Sequence, residues 1–245
     1  MSEAPPTVVL VHGAFADSSS WNGVIERLQA KAVPVTAPAN PLRGIAFDSA
    51  YVASVIDQIE GPVLAVGHSY GGAVITNAAS VARNVVGLVY VAAFAPDEGE
   101  LLGAVEAGSK DSVLNSALVA RHYPTANGGS ATEFSIDPAK VRDAFAGDLS
   151  DEQAALIAAT QRPVAEAAFT EPNGRPAWKH LPSWAVVATG DRAAGTDVVR
   201  SMAERAGATI TEVDGSHVIM VSQPHAVAEV ILEAVAAGAS VPVGA

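Results

Sequence analysis

Short apolar runs recur along the chain, each bounded by turn residues, at positions 7–11, 33–38, 63–66, 85–92, 184–189 and 209–213. Between them, residues 20–30, 49–59, 70–82, 197–206 and 223–236 carry apolar side chains at helical spacing. Strands that are apolar throughout are buried on both faces, as happens when helices cover both sides of a parallel sheet. The pattern therefore predicts an α/β fold with about six mostly parallel strands flanked by helices.

The alternation stops between Ala95 and Leu181. Helical spacing appears there at 109–120, 138–145 and 150–159, interrupted by Pro124, Asn127-Gly128-Gly129 and Pro163. This predicts a helical cap, residues 96–181, inserted after the strand ending near Ala92, with residues 1–95 and 182–245 forming the core. A cap over the carboxyl ends of the strands would wall a pocket where open α/β sheets bind ligands. Residues 238–245 read as a mobile tail.

Composition narrows the partners. At 245 residues the chain suits one large domain, and no charge run or Ser/Gly-rich linker divides it. Fourteen Lys and Arg against 26 Asp and Glu give a formal net charge of -12, which argues against nucleic acid or an anionic membrane. A small neutral or apolar molecule fits better. Without cysteine there is no disulfide framework, thiolate metal site or cysteine nucleophile. Apart from His225 with Glu229, the histidines lack i, i+4 pairing with carboxylates, and neither G-x-G-x-x-G nor G-x-x-x-x-G-K occurs, so neither a metal nor another cofactor is expected. Residues 1–7 lack the features of a secretory leader, and no apolar run approaches the roughly 20 residues of a membrane helix. A cytoplasmic location is the expectation, and a homodimer is left open because no interface is readable.

The candidate chemistry centres on Gly67-His68-Ser69-Tyr70-Gly71, which lies between the apolar runs 62–66 and 73–79. A G-x-S-x-G turn between strand and helix is a nucleophile elbow: the glycines let neighbouring elements close in while the serine takes a strained conformation. A serine alcohol is barely ionised at neutral pH, so it needs a base, and the base needs an acid to fix its tautomer. His217, in Asp214-Gly215-Ser216-His217 before the last helix, is the candidate base. His12 and His68 adjoin glycine motifs and are read as shaping turns, while His122, His180 and His225 are read as lid or surface residues. Asp191 follows a strand directly and precedes His217, and that chain order favours it as the acid over Asp97. An oxyanion needs two convergent donors. The Tyr70 amide is one, and the loop His12-Gly13-Ala14-Phe15 supplies the other, with Ala14 preferred and Phe15 next.

These residues resemble the α/β-hydrolase superfamily across the whole chain, and in particular its branch of plant-type methylesterases and hydroxynitrile lyases with their bacterial relatives. The matching stretches are Val9 to Ala14 with Trp21, Gly67 to Gly72, Ala92 to Asp97, Arg162-Pro163, Thr189 to Asp191, and Gly215 to His217. The resemblance implies Ser69, Asp191 and His217 as a triad and the Ala14 and Tyr70 amides as an oxyanion hole. It also brings a departure. Lyases of this branch place a lysine after the catalytic histidine and a threonine in the first loop, where this chain has Val218 and Ala14. Without that cation, stabilising cyanide falls to the imidazolium alone.

The expected function is a cofactor-free serine esterase that cleaves small, largely apolar esters through an acyl-enzyme, with Phe15, Tyr123, Phe169, Trp178 and Val218 as candidate substrate contacts. The rivals are a hydrolase-fold ligand receptor with vestigial turnover, and perhydrolase, thioesterase or hydroxynitrile lyase chemistry in the same site.

Overall fold

The computed structural model describes residues 5–238. The chain runs through β1 (Thr7–Val11), α1 (Asn22–Ala30), β2 (Val35–Thr36), α2 (Ile45–Asp57), β3 (Val63–His68), α3 (Tyr70–Ala78) and β4 (Val85–Val91). A long excursion follows, with α4 (Leu102–Ala107), β5 (Leu118–Pro124), β6 (Ser130–Ile136), α5 (Val141–Ala144), α6 (Asp151–Thr160), β7 (Val164–Ala165) and α7 (Ala167–Thr170). The chain then returns through β8 (Ser183–Ala188), α8 (Thr196–Arg205), β9 (Thr209–Val213), α9 (Ile219–Ser222) and α10 (Pro224–Gly238). The expected tail, apart from Gly238, lies outside the described residues.

Six strands pair in the order β2-β1-β3-β4-β8-β9, every pair parallel. All residues of β3, β4 and β8 are buried, as their unbroken apolar runs require, with α1 packed on α10 and α2 on α3. Only Val35 and Thr36 of the expected run 33–38 join the sheet. Pro34 and Pro38, which flank them, have no N–H to give to a ladder. Because the strands are parallel, the loops after β1, β3, β8 and β9 leave from one edge. The order reverses at β1, so the loops after β1 and β3 diverge there and open a crevice.

The excursion corrects one expectation, since it is not all helix. β5, β6 and β7 form a three-stranded antiparallel sheet. The helix expected over 109–120 is instead a 3₁₀ turn at Leu114–Ala117 that runs into β5. The reason is the turn at Asn127-Gly128-Gly129. Gly128 has φ 77° and the Thr125 N–H donates to the Gly129 carbonyl at 3.0 Å, which closes a hairpin. Most of β5 is exposed, so its side chains carry no alternation that would have betrayed a strand. The other expected helical stretches hold. A 3₁₀ turn and α5 cover 138–144, and α6 starts from Ser150, whose Oγ accepts the Gln153 N–H at 3.3 Å while Gln153 accepts the Ser150 N–H at 3.2 Å.

Candidate active site

Ser69 is the residue between β3 and α3, with φ 53° and ψ -123°. A non-glycine residue at this φ costs on the order of 1–3 kcal/mol, so its surroundings must enforce it. They do so by proximity. A Cβ on Gly67 would lie 2.5 Å from the Gly71 carbonyl, and a Cβ on Gly71 would lie 2.3 Å from the Val11 carbonyl oxygen. Strand β3, helix α3 and strand β1 can therefore meet only where side chains are missing. Gly13 is held to the same standard, since its Cβ would lie 2.7 Å from Ser69 Cβ. The Ser69 carbonyl accepts from the Gly72 and Phe94 amides, which pins the turn at 2.9 and 3.2 Å.

His217 and Asp191 meet beside this turn. His217 Nδ1 lies 2.8 Å from Asp191 Oδ2, and both residues are only 1% exposed. Asp191 Oδ1 accepts from the Ala193 and Ala194 amides at 2.9 and 3.0 Å. An aspartate held by these donors is placed to accept from Nδ1–H, and the other ring nitrogen, Nε2, makes no hydrogen bond among the described residues. Ser69 and His217 both line one small cavity, and Ser69 Oγ has no hydrogen-bond partner among the described residues. Asp97 lies elsewhere. It bridges Lys179 at 2.5 Å on the surface, and that contact, with the Glu98 amide, holds its carboxyl below the usual range.

Two further histidines brace the arrangement. His68 is fully buried and donates from Nε2 to the His217 carbonyl at 3.0 Å, so the residue before Ser69 holds the backbone of His217. Burial, reinforced by His217 nearby, keeps its pKa well below the usual 6.5. His12 donates from Nδ1 to the Gly13 carbonyl at 2.9 Å, and its Nε2 accepts from the Asn40 amide at 3.0 Å and Arg162 at 3.2 Å. Burial lowers its pKa to about 4. It links the loop after β1 to Arg162 of the Arg162-Pro163 pair. The turn-shaping expectation for both histidines thus has a concrete form, and His122, His180 and His225 are exposed. Phe15, in that same loop, also has a left-handed φ, 61°. Ala14 and Tyr70 line the cavity, and their amides donate to no protein group among the described residues. The Tyr70 hydroxyl points away and donates to the buried Asp48 at 2.8 Å.

The cavity over Ser69 holds about 10 Å³, room for about one water, and its walls include Phe15, Phe94, Glu106, Leu114, Phe145 and Phe169. A wider apolar vestibule of about 300 Å³ adjoins it and shares Phe15 and Phe145, whose rings meet edge to face at 6.2 Å. Val218, buried, lines this vestibule. Of the expected substrate contacts, Phe15, Phe169 and Val218 therefore face open space, and two do not. Tyr123 sits on β5 under the Arg43 guanidinium, 4.5 Å from the ring centre. Trp178 donates from Nε1 to the Pro96 carbonyl at 3.0 Å, with Lys179 and Arg205 against its face. Both aromatics are occupied by cations, which surface aromatics attract. Phe94, Glu106, Leu114, Phe145 and Ala194 were not foreseen, because they converge from unrelated segments and share no spacing.

A family model described as the alpha/beta hydrolase family matches residues 8–230. The chain belongs to the alpha/beta hydrolase family. No curated protein matches it by sequence. Among solved structures, polyneuridine aldehyde esterase is similar at TM-score 0.79 and 20% identity, over 94% of this chain and 99% of that one. A pyrethroid hydrolase from Sphingobium faniae JZ-2 is similar at 0.77 and 20%, over 96% and 99%. An extracellular hydrolase from a Paenibacillus species, described as sharing structural and functional homology with tobacco salicylic acid binding protein 2, is similar at 0.75 and 21%, over 94% and 99%. At such identities the likeness carries the fold alone. Among the described residues, no helix is long and apolar enough to cross a membrane and no group of His, Asp and Glu is arranged for a metal ion.

Proposed function

We propose that the chain is a serine hydrolase that cleaves carboxylic esters of small, largely apolar molecules. The observation that carries this reading is the buried 2.8 Å contact of His217 with Asp191 beside a strained Ser69 in one cavity. Asp191 holds the imidazole with its proton on Nδ1, so Nε2 takes the Ser69 proton as Oγ attacks the ester carbon. Negative charge then builds on the carbonyl oxygen, where the Ala14 and Tyr70 amides are free to donate, each worth about 3 kcal/mol of barrier. Collapse of the tetrahedral adduct breaks the bond to the alkoxy oxygen. The imidazolium protonates that oxygen and the alcohol departs, leaving the acyl group on Ser69. His217 next deprotonates a water that attacks the acyl carbon, and the acid leaves as Ser69 recovers its proton.

In this reading residues 1–95 and 182–245 supply the chemistry and residues 96–181 supply walls. The apolar lining supports small apolar esters. Val218 beside the base, rather than a cation, weighs against cyanohydrin cleavage. The esterase and hydrolase neighbours support ester cleavage by analogy of fold. Because the cavity holds about 10 Å³, a substrate reaches Ser69 only as Phe15 and Phe145 give way toward the vestibule.

The test is release of phenolate from p-nitrophenyl esters of increasing acyl length, with and without a serine-directed phosphonate. Turnover that the phosphonate blocks and Ser69→Ala removes is the expected result. No turnover and no labelling of Ser69 would overturn the reading in favour of a ligand receptor.

A further inference from the structure

Glu106, on α4, is the sole acidic side chain lining the cavity over Ser69 among the described residues, and it is 5% exposed. Its Oε1 lies 2.7 Å from Ser112 Oγ, which also lies 2.6 Å from the Ala193 carbonyl and accepts the Leu114 amide at 3.3 Å. A hydroxyl has one proton, and a carbonyl can only accept. The Ser112 proton therefore lies between Glu106 Oε1 and the Ala193 carbonyl, both within donating distance. Burial raises the Glu106 pKa, and the Ser112 hydrogen bond opposes that rise.

Its second oxygen, Oε2, makes no hydrogen bond among the described residues. The cavity that Glu106 lines is also walled by Phe15, Phe94, Leu114 and Phe169, and the Tyr70 hydroxyl is committed to Asp48. A lone acceptor in an apolar wall discriminates. A ligand that leaves it unpaired loses the desolvation cost of that oxygen, and a ligand with a donor in reach recovers it.

We propose that Glu106 is a specificity residue that accepts a hydrogen bond from a hydroxyl or amide N–H on the bound ester. The protein then favours hydroxy- or amido-substituted esters over plain alkyl ones. This rests on the ester-hydrolase reading. A purely supporting role is the competitor, because Ser112 ties Glu106 to Ala193, whose amide holds Asp191.

The experiment compares kcat/KM for methyl butanoate and methyl hexanoate with each of their monohydroxylated isomers. In the wild type the best-placed isomer is expected to exceed its plain parent by about tenfold or more. Glu106→Gln donates an amide N–H to Ser112 and presents a carbonyl oxygen in place of Oε2, so it keeps that ratio within about threefold. Glu106→Leu brings the ratio to about one. A wild type that favours no isomer, or a Leu variant that keeps the ratio, overturns the proposal. Parallel loss of both substrates in the Gln and Leu variants also overturns it and leaves Glu106 as support for the Asp191 turn. Calorimetric binding of the same pairs to Ser69→Ala protein reads the preference without turnover. Absence of hydrolysis by the wild type would therefore sink the esterase reading while the binding ratio still decides this one.

Discussion

The turn after β3 and the excursion between β4 and β8 line the same cavity and are built on opposite terms. At the turn, backbone distances leave no room for choice: Gly67, Gly71 and Gly13 each stand where a Cβ would come within 2.7 Å of a neighbour. In the excursion, Glu106, Leu114, Phe145 and Phe169 reach the cavity from α4, a 3₁₀ turn, the end of α5 and α7, with no common spacing. The proposed chemistry rests on a scaffold that admits no extra atoms, and the walls rest on side-chain packing that tolerates exchange. Substitutions at the turn should abolish activity, while substitutions in the excursion should redirect it.

The sharpest break is at Ser69. Ser69→Ala is expected to lower kcat by roughly 10⁵ to 10⁶ with an unchanged thermal midpoint, and retention of the wild-type rate would remove the elbow from the chemistry. Asp191→Asn should cost roughly 10⁴, because the imidazole loses its enforced tautomer. Asp97→Asn should stay within about twofold, since its bridge to Lys179 is on the surface and away from the cavity. Equal effects at the two aspartates would reverse the assignment of the acid. Gly71→Ala tests the scaffold itself. Its Cβ, 2.3 Å from the Val11 oxygen, should cost roughly 3 kcal/mol in denaturant unfolding, and an unshifted midpoint would show that the turn is not crowded.

The same contrast explains what the sequence could tell. The strands and the elbow were legible because local rules make them: continuous Val and Ala runs for doubly buried strands, and glycines where elements collide. Asp191 and His217 were legible because the loops after β8 and β9 must end at the edge that carries Ser69. The hairpin of β5 and β6 was readable in part, since Asn127-Gly128-Gly129 is turn chemistry, yet the flanking side chains are exposed and show no period. Glu106 was invisible. Its meaning depends on Ser112, Ala193 and the apolar residues opposite, which only tertiary packing brings together.

A smaller effect concerns pH and the loop after β1. His12 has its pKa lowered by burial to about 4, so the folded protein refuses a proton that the unfolded chain takes near 6.5. Its neutral form contributes stability that is fully present above pH 6.5 and is lost as pH falls from 6.5 toward 4. Across that window the loss from this residue is of order 3 kcal/mol. His12→Gln should be less stable than wild type at pH 7, and its denaturant midpoint should fall less between pH 7 and 4.5. An identical drop in both proteins would place the acid sensitivity elsewhere.

The smallest expected effects sit in the excursion and separate wall from packing. Phe169 lines the cavity over Ser69, whereas Trp178 is held to the Pro96 carbonyl and flanked by Lys179 and Arg205. Phe169→Ala should enlarge the cavity and shift the preferred acyl length, moving kcat/KM for the longest ester relative to the shortest by about tenfold. That ratio corresponds to the roughly 1.4 kcal/mol expected when about two methylenes find apolar contact. Trp178→Ala should leave the acyl-length profile in place and lower stability by about 1–2 kcal/mol, through a lost hydrogen bond and lost packing under two cations. If Trp178→Ala moved the profile as Phe169→Ala does, the excursion would act on substrate as one body, and the division between exchangeable wall and surface packing would fail.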